Sequence, residues 1–258
     1  MSAVLSALLT SWWGHALLTL LAAALWLLLS AALYRPFFKR FYDVVLSGLA
    51  ILVLSPLLLF LTALGAVKMR GNPFFTQPRP GKGERIFRLV KFRSMTSARD
   101  ADGNLLPDSV RLTRYGRLLR STSLDELPEL FNIFTGQMSI VGPRPQLVRD
   151  MVFMTEHQRD RHRVRPGLTG LAQVSGRNNI TWEEKFEYDL RYIERITLWG
   201  DVAILFRTVF RVLRRSDTVR EGTVSDVDLG DWLLERGEVT DEEYSARQSE
   251  ARSLLGVR

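Results

Sequence analysis

The sequence predicts an α+β protein that is mainly helical, carries a small β-hairpin and is anchored in a membrane. Three observations predict this fold class. Two long apolar runs lie at 15–34 and 44–67 in the 258-residue chain, and each is long enough for a membrane helix. Apolar and basic residues alternate over 86–92, after a Pro-Arg-Pro-Gly-Lys-Gly turn sequence. This pattern predicts a hairpin. Most of the remaining periodic segments have helical spacing.

The first apolar run contains about 20 uncharged residues, which suffice to cross a bilayer as one helix. No Lys or Arg precedes it, whereas Arg35, Lys39 and Arg40 follow it. Because positive residues favour the cytoplasmic side, Met1 is expected outside and Arg35 in the cytoplasm. A cleaved signal peptide is the alternative, although the basic n-region that such peptides require is missing.

The second apolar run contains Ser55 and Pro56 close to its midpoint, and basic residues flank it on both sides. Proline removes a backbone donor and clashes with the preceding turn, so a break is expected there. A re-entrant helix that bends at Ser55-Pro56 and returns to the same face fits both features, with Ser55 bonding a freed carbonyl. A second, merely kinked spanning helix is the alternative. Re-entry would keep 68–258 in the cytoplasm.

Composition limits the partners and the cofactors. The formal charge of +7 and the pI near 10.0 favour an anionic partner, namely nucleic acid, anionic lipid or a phosphorylated small molecule. The apolar N-terminus argues against nucleic acid. The chain has no cysteine, and its three histidines are scattered. A bound metal is therefore expected to be hard and oxygen-bound, most simply Mg²⁺.

A basic segment precedes two adjacent carboxylates. Residues 68–120 contain thirteen Lys or Arg and four acidic residues, and Asp125 and Glu126 follow. Phosphoryl transfer needs cations that hold phosphates, a carboxylate that attacks and a carboxylate that holds a metal. The acidic pair also fits a capping box, which is a purely structural explanation. That pattern predicts a helix that begins between Ser123 and Glu126 and runs to about Phe134.

Loops downstream contain further groups that could meet a phosphate. Residues 142–145 fix Arg144 between two prolines, and a stiff guanidinium suits bidentate phosphate recognition. A rigid turn with a solvent-facing Arg144 is the alternative. Glycines at 165–170 and 176–179 would allow the backbone to approach a ligand closely.

Two helices are expected at 182–192 and 201–215. The second is basic and amphipathic, so it either lies on anionic lipid or is a plain surface helix. Residues 240–252 are either a short acidic helix or disordered. The chain is accordingly divided into an N-terminal transmembrane helix with its basic flank (1–40), a re-entrant helix (41–70), a cytoplasmic catalytic domain (71–225) and an acidic C-terminal tail (226–258).

Several separated motifs, in this order, closely resemble one family, the bacterial sugar transferases called monotopic phosphoglycosyl transferases. The resemblance runs from about Arg35 to about Ser225, and the Ser55-Pro56 pair looks like the re-entrant helix of that family. The motifs are Lys91-Phe92-Arg93-Ser94-Met95, Arg120 with Ser123-Leu124-Asp125-Glu126-Leu127-Pro128, Gly142-Pro143-Arg144-Pro145, Arg165-Pro166-Gly167-Leu168-Thr169-Gly170 and Gly176-Arg177-Asn178.

The resemblance implies a two-step transfer on the cytoplasmic face of the bacterial inner membrane, which starts glycoconjugate assembly. Asp125 would attack the β-phosphorus of a UDP-sugar, UMP would leave, and polyprenol (undecaprenyl) phosphate would take the phosphosugar. Glu126 would hold Mg²⁺. Membrane lipid is a further expected partner, nucleic acid is not, and a homodimer is left open. The residues implied in phosphate or nucleotide binding are Arg120, Arg144, Lys91, Arg93, Arg165 and Arg177.

The stretch 176–186 looks most like family members that use UDP-linked N-acetylated amino sugars, such as diacetylated bacillosamine. A carrier transferase of the UDP-glucose or UDP-galactose type is the alternative, although such members usually carry a large extra N-terminal region. The rivals from other classes are a non-enzymatic membrane scaffold of the same fold and a membrane-associated nucleic-acid binder. The intact Asp125-Glu126 pair, with Arg120 and Arg144, argues against the scaffold.

Overall fold

The computed structural model describes residues 11–176, 180–214 and 227–256. The architecture is α+β and mainly helical, as predicted. Its helices are α1 (Trp12–Ala32), α2 (Lys39–Met69), α3 (Asp108–Arg111), α4 (Arg114–Ser121), α5 (Glu129–Phe134), α6 (Val148–Met151), α7 (Glu156–Arg159), α8 (Leu171–Ser175), α9 (Trp182–Glu194), α10 (Leu198–Arg214), α11 (Leu229–Glu235) and α12 (Asp241–Leu254). Its strands are β1 (Phe74–Pro80), β2 (Ile86–Phe92), β3 (Ser139–Val141) and β4 (Gly167–Thr169).

The predicted hairpin is confirmed. Strands β1 and β2 pair in antiparallel register, from Phe74 opposite Phe92 to Pro80 opposite Ile86. The rings of Phe74 and Phe92 stack with their centroids 5.4 Å apart. Strands β3 and β4 form a separate parallel pair. Strand β2 contacts helix α5, and strand β1 contacts helix α6.

Both apolar runs form helices that are long and apolar enough to cross a membrane. Helix α1 leaves most of its large apolar side chains exposed. A π-helical turn, Tyr34–Phe38, joins it directly to α2. Trp26 meets Phe38 edge-on at 5.1 Å and donates a hydrogen bond to the Tyr42 hydroxyl at 3.2 Å. Sixteen residues of straight helix would separate Trp26 from Tyr42 by about 24 Å, so the chain reverses at the π-helical turn.

Helix α2 runs from Lys39 to Met69 with Pro56 inside it. The predicted break at Ser55-Pro56 is therefore not a gap in the helix. Ser55 Oγ donates to the carbonyl of Leu52 at 2.8 Å, and this is the carbonyl that loses its partner because Pro56 has no N–H. The expected hydrogen bond from Ser55 is confirmed, and re-entry remains a prediction.

Helix α2 contacts the rest of the protein near both ends and at its centre. Asp43 accepts hydrogen bonds from Ser139 Oγ at 3.1 Å and from the Ile140 N–H at 2.9 Å. Tyr115 donates to the Leu61 carbonyl at 3.2 Å, and Leu54 packs against two apolar clusters between these points. Another face of α2 is exposed and apolar, with Leu46, Leu49, Leu52, Val53, Leu59, Phe60 and Val67.

The C-terminal region folds onto the domain that precedes it. Helices α11 and α12 contribute Leu229 and Ala251 to an apolar core shared with α6 and α9. The Leu229 N–H donates to the carboxylate of Asp150 at 3.1 Å, and the Trp182 indole donates to the carbonyl of Val227 at 3.0 Å. Residues 241–254 are therefore helical rather than disordered, and the described part of the acidic tail is built into the fold.

The acidic pair lies in a single 3₁₀ turn, Leu124–Glu126, ahead of α5. The predicted capping box is wrong, because the Ser123 side chain makes no cap hydrogen bond and α5 begins at Glu129. Pro128 precedes that helix, and its fixed φ suits a helix start but interrupts the hydrogen bonding of a longer one. The helices expected at 182–192 and 201–215 are confirmed as α9 and α10.

Candidate active site

The turn that carries Asp125 and Glu126 lies between the end of α4 and the start of α5, beside strand β2. Ser123 precedes it with a left-handed φ of 56°, a conformation that is uncommon for residues other than glycine. This reversal ends α4 and lets the next residues turn back towards the hairpin. Both carboxylates are thereby placed among basic side chains from β2 and from the 142–145 loop.

Glu126 is neutralised by two cations. Lys91 Nζ and an Arg144 guanidinium nitrogen each donate to Glu126 Oε1 at 2.7 Å. Burial alone would raise the pKa of Glu126, but Arg144 and Lys91 outweigh it and hold the pKa well below its usual range. The charge of Glu126 in turn raises the pKa of the Arg144 guanidinium. Glu126 is therefore a stable anion at any physiological pH.

Asp125 has different surroundings although it is the next residue. It is half-buried, and the structure gives its carboxylate no hydrogen bond from any described residue. Burial first, and then the neighbouring charge of Glu126, raises the pKa of Asp125 above its ordinary value. Lys91, Arg120 and Arg144 lower it in turn, but they offset only part of this effect. Asp125 is thus a carboxylate close to three cations but bonded to none of them.

A third carboxylate, Glu129, lies below this pair in the first turn of α5. Its side chain is 2% exposed and approaches Lys91 Nζ at 3.2 Å, and Oε1 has no hydrogen-bond partner among the described residues. Burial and the charge of Glu126 raise the pKa of Glu129 to about 7. Glu129 is not among the residues predicted from the sequence, although its position three residues after Glu126, across a proline, is a usable signal.

The 142–145 loop is held by hydrogen bonds to its carbonyl groups. Arg161 donates to the carbonyl of Arg144 at 2.7 Å, and Arg79 donates to the carbonyl of Pro145 at 3.1 Å. Sequence reasoning missed both arginines because nothing in the local pattern marks them. The Arg144 side chain leaves this fixed loop and meets Glu126, which excludes the alternative of a guanidinium directed only at solvent.

The glycines of the two neighbouring loops approach each other rather than open space. A Cβ on Gly142 would lie 2.6 Å from the Arg165 carbonyl oxygen, and one on Gly167 would lie 2.1 Å from the Gly142 nitrogen. A Cβ on Gly170 would lie 2.2 Å from the Gly142 carbonyl oxygen. Only glycine permits this backbone packing. These residues therefore serve to fix the Arg144 loop.

The remaining predicted residues are spread more widely. Arg120 donates to Ser94 Oγ at 3.0 Å and lies close enough to Asp125 to lower its pKa. Arg93 donates its backbone N–H to Pro73, and no described side-chain bond links it to the carboxylates. Arg165 donates to the Gly136 carbonyl at 2.8 Å, so it is not joined to the acidic pair. Arg177 lies outside the described residues.

A Mg²⁺ ion at this site would have hard oxygen donors. No group of three or more potential metal ligands occurs within 11–176, 180–214 and 227–256. Mg²⁺ is commonly held by one or two carboxylates together with substrate phosphates and water, so a smaller set is sufficient. Lys91 and Arg144 both donate to Oε1 of Glu126, and no described residue donates to its Oε2. That oxygen and the Asp125 carboxylate fit such an ion, whose presence remains a prediction.

The chain is similar to known proteins over most of its length. A family model described as "Bacterial sugar transferase" matches residues 34–215, which include the acidic pair and every cation placed around it. The chain therefore belongs to the bacterial sugar transferase family, as its motifs predicted.

Three relatives illustrate the range of the family. The uncharacterized sugar transferase EpsL of Bacillus subtilis is 47% identical over 68% of this chain and 87% of its own length. A UDP-glucose:undecaprenyl-phosphate glucose-1-phosphate transferase of Klebsiella pneumoniae is 40% identical over 67% of this chain and 40% of its own length. A UDP-N-acetylgalactosamine-undecaprenyl-phosphate N-acetylgalactosaminephosphotransferase of Aeromonas hydrophila is 37% identical over 72% and 46%. The chain spans less than half the length of the last two.

Proposed function

We propose that this protein transfers a sugar 1-phosphate from a UDP-sugar to a polyprenol phosphate at the bacterial inner membrane, through a covalent phosphosugar on Asp125. Relatives named for UDP-glucose, galactose and UDP-N-acetylgalactosamine transfer to undecaprenyl phosphate support this reaction class. The product would be a polyprenyl diphosphate sugar, on which a glycoconjugate is then assembled.

The observation that carries the proposal is the contrast between two adjacent carboxylates. Glu126 is bonded by two cations, whereas Asp125 has no described hydrogen-bond partner and a raised pKa. An anion with no partner breaks no contact before it attacks, and a raised pKa increases its basicity. Asp125 is therefore the better nucleophile of the two, and Glu126 is the better fixed anion.

The two proposed steps balance without any proton transfer. In the first, an Asp125 oxygen bonds to the β-phosphorus while the bond from that phosphorus to the bridging oxygen breaks, and UMP leaves with the electron pair. In the second, a phosphate oxygen of the polyprenol phosphate bonds to the same phosphorus and the Asp125 carboxylate is released. Arg120 and Arg144 would hold phosphate oxygens. Mg²⁺ on Glu126 would supply further neutralisation of the diphosphate.

The contacts of α2 support a re-entrant arrangement. The Asp43 carboxylate and the Leu61 carbonyl both accept hydrogen bonds from the same domain. About 27 Å of helix separates these two residues when the helix is straight. A hydrocarbon core is about 30 Å thick. If α2 crossed it, one polar domain would have to meet the helix on both faces of the bilayer. We propose instead that α2 enters and leaves on the cytoplasmic face, where the exposed apolar face meets lipid.

A topology measurement tests this arrangement. A reporter fused after Arg258 should read cytoplasmic in the natural protein. In the Ser55→Leu/Pro56→Leu variant the helix gains its missing hydrogen bond and an uninterrupted apolar surface, so inversion of the reporter becomes favourable. A periplasmic reading for the natural protein would rule out re-entry.

The sugar is proposed on the resemblance of 176–186 to members that use UDP-linked N-acetylated amino sugars. The named relatives include glucose, galactose and N-acetylgalactosamine types at 40%, 37% and 37% identity, so identity alone does not select among them. UDP-glucose and UDP-galactose are the second candidates, because relatives with those names match the same part of the chain.

A substrate panel tests the proposed function directly. Purified protein in lipid nanodiscs is given undecaprenyl phosphate, Mg²⁺ and one UDP-sugar at a time, and UMP is measured. The proposal expects UMP from at least one UDP-sugar, with the highest rate for an N-acetylated amino sugar. A faster rate with UDP-glucose would replace the amino-sugar assignment only. No UMP from any UDP-sugar would favour the non-enzymatic scaffold, and salt-sensitive retention on DNA would favour the nucleic-acid binder.

A further inference from the structure

Arg161 is the largest fully buried side chain among the described residues. It lies in the 3₁₀ turn Asp160–Arg163. Its Nε and one terminal nitrogen both donate to Asp189 Oδ2, at 3.0 and 2.6 Å. Asp189, in α9, is equally buried. The two residues form an ion pair that water does not reach.

The same terminal nitrogen of Arg161 also donates to the Arg144 carbonyl at 2.7 Å. The two hydrogens on that nitrogen therefore have separate acceptors, one on α9 and one in the 142–145 loop. The planar fork of a guanidinium makes this double contact with a fixed geometry. Helix α9 and the loop of Arg144 are thereby joined through one side chain.

Stability alone does not account for such a pair. Removing two charges from water is costly, and replacement of a buried ion pair by apolar residues of similar volume is often neutral or stabilising. What apolar residues could not do is donate to the carbonyl of Arg144. The contact that distinguishes this pair from an apolar pair is therefore the hydrogen bond to the 142–145 loop.

The loop is restrained at the neighbouring position as well. Pro143 and Pro145 fix their own φ angles, and Arg79 donates to the Pro145 carbonyl at 3.1 Å. Two successive carbonyl groups, those of Arg144 and Pro145, are thus each held by a buried or half-buried arginine. With its backbone fixed in this way, the Arg144 side chain reaches Glu126 Oε1 at 2.7 Å.

We propose that Arg161 and Asp189 are a positioning pair, which fixes the Arg144 backbone so that its guanidinium meets the diphosphate of the nucleotide sugar. This inference rests on the proposed function. Neither residue touches substrate, since both are buried behind the loop. Arg144 holds phosphate oxygens in the ground state and in the transition state alike, so a misplaced Arg144 should weaken binding more than it slows the chemical steps.

The test replaces the pair by apolar residues. In Arg161→Met/Asp189→Leu the charges leave together, so no unpaired charge stays buried. We expect a melting temperature close to that of the natural protein, a KM for the UDP-sugar raised about tenfold and a kcat within about threefold of the natural value. Calorimetric binding of UMP should weaken by a similar factor, which reports on the site without turnover.

A double-mutant cycle between the Arg161–Asp189 replacement and Arg144→Ala separates an effect through Arg144 from a general effect on KM. Once Arg144 is truncated, replacing the Arg161–Asp189 pair should raise KM no further, because the side chain that it positions is gone. Effects on KM that multiply in the combined variant would overturn the inference. Arg159→Met is the matched control, since Arg159 is two residues away and pairs with Glu84; it should leave KM unchanged.

Two further readouts keep the outcomes distinct. If the double variant does not fold, Arg161→Lys keeps a cation beside Asp189 but lacks the planar fork, and the same rise in KM is expected. An unchanged KM and unchanged UMP binding in whichever variant folds would refute the positioning role while leaving the transferase reaction intact. A natural protein that releases no UMP would refute the proposed function, and the UMP-binding comparison would still report on Arg144.

Discussion

Two polar clusters lie in different parts of the molecule, and they differ in how completely their charges are paired. The anchor cluster joins the start of α2 to α9 and α10, and it consists of Tyr34, Lys39, Tyr192 and Asp201. Asp201 accepts hydrogen bonds from Lys39 at 2.5 Å, Tyr34 at 2.7 Å and Tyr192 at 2.9 Å. Lys39 and Tyr192 also donate to the carbonyl of Val141. Every charge in this cluster has a partner.

The carboxylate cluster, consisting of Lys91, Asp125, Glu126, Glu129 and Arg144, is not saturated in this way. Glu126 has two cationic partners, but Asp125 has no described hydrogen bond, and Glu129 Oε1 meets Lys91 Nζ at 3.2 Å without a described hydrogen bond. Three carboxylates therefore share two directly bonded cations. Buried or half-buried polar groups are normally satisfied, so this deficit points to a site where a charged ligand completes the arrangement.

The comparison teaches that composition does not separate a structural cluster from a reactive one. Both clusters contain a lysine and at least one carboxylate with aromatic or basic neighbours, although the anchor cluster is more deeply buried than the carboxylate cluster. The difference lies in whether the acidic groups are fully bonded. Changes in the anchor cluster should therefore act on stability, and changes in the carboxylate cluster on turnover.

The largest effect is expected for Asp125→Asn. An amide cannot form the acyl phosphate, so UMP release should fall at least about 1,000-fold. The melting temperature should stay the same or rise, because the raised pKa of Asp125 means that its charge is disfavoured in the folded state. UMP release and thermal unfolding in nanodiscs measure the two effects. More than trace activity in this variant would disprove the nucleophile assignment.

The opposite pattern is expected for Asp201→Asn in the anchor cluster. The change leaves the ammonium of Lys39 buried without its countercharge, which should reduce stability by about 3–5 kcal/mol. The activity of the protein that remains folded should be close to natural. Asp160→Asn is the control, since its pair with Arg163 is exposed and 3.7 Å long, and it should change stability by less than about 1 kcal/mol. Equal losses in both variants would contradict the distinction between the clusters.

Glu126→Gln should have a smaller effect on turnover than Asp125→Asn. The amide keeps the shape but loses the charge that pairs with Lys91 and Arg144 and that would hold Mg²⁺. UMP release should fall about 100-fold and need more Mg²⁺ for half-maximal rate. Glu84→Gln, in an ion pair remote from the carboxylates, is the matched control and should keep full activity. An unchanged Mg²⁺ requirement in Glu126→Gln would remove Glu126 as the metal ligand.

The smallest effect concerns His162, a titratable group outside both clusters. Burial, followed by the charge of Arg161, lowers the pKa of His162 from 6.5 to about 4. Between these values the unfolded chain binds a proton that the folded protein does not, so stability is complete above pH 6.5 and falls as the pH drops towards 4. His162→Gln should make this fall shallower in thermal unfolding between pH 7 and pH 4. An identical slope would show that other groups cause the acid loss.

The sequence was sufficient for features that depend on local pattern. The hairpin, the apolar helices and α9 follow from periodicity and turn residues. The acidic pair, Lys91 and Arg144 were selected from motifs, and the structure brings them together. The expected bond from Ser55 also follows from one local rule, that a proline frees a carbonyl.

Features that depend on distant neighbours could not be predicted. Arg161 matters because it pairs with Asp189, which is 28 residues further along the chain. The capping box failed because Pro128 delays the start of α5. Arg165 was chosen for its motif, but its side chain donates to the carbonyl of Gly136, which is remote from it in the sequence. The outcomes at Arg161 and Arg165 are set by tertiary contacts that no periodicity encodes, whereas Pro128 is a local signal.

The most direct test of the central claim, covalent catalysis by Asp125, is a single-turnover measurement without the lipid acceptor. Enzyme mixed with UDP-sugar and Mg²⁺ alone should release up to one equivalent of UMP and gain the mass of a phosphosugar at Asp125, and polyprenol phosphate added afterwards should remove that mass. UMP that appears only when the acceptor is present, with no mass change after acid quench, would contradict the account. Asp125 and Glu126 would then be a metal-binding pair in a direct displacement.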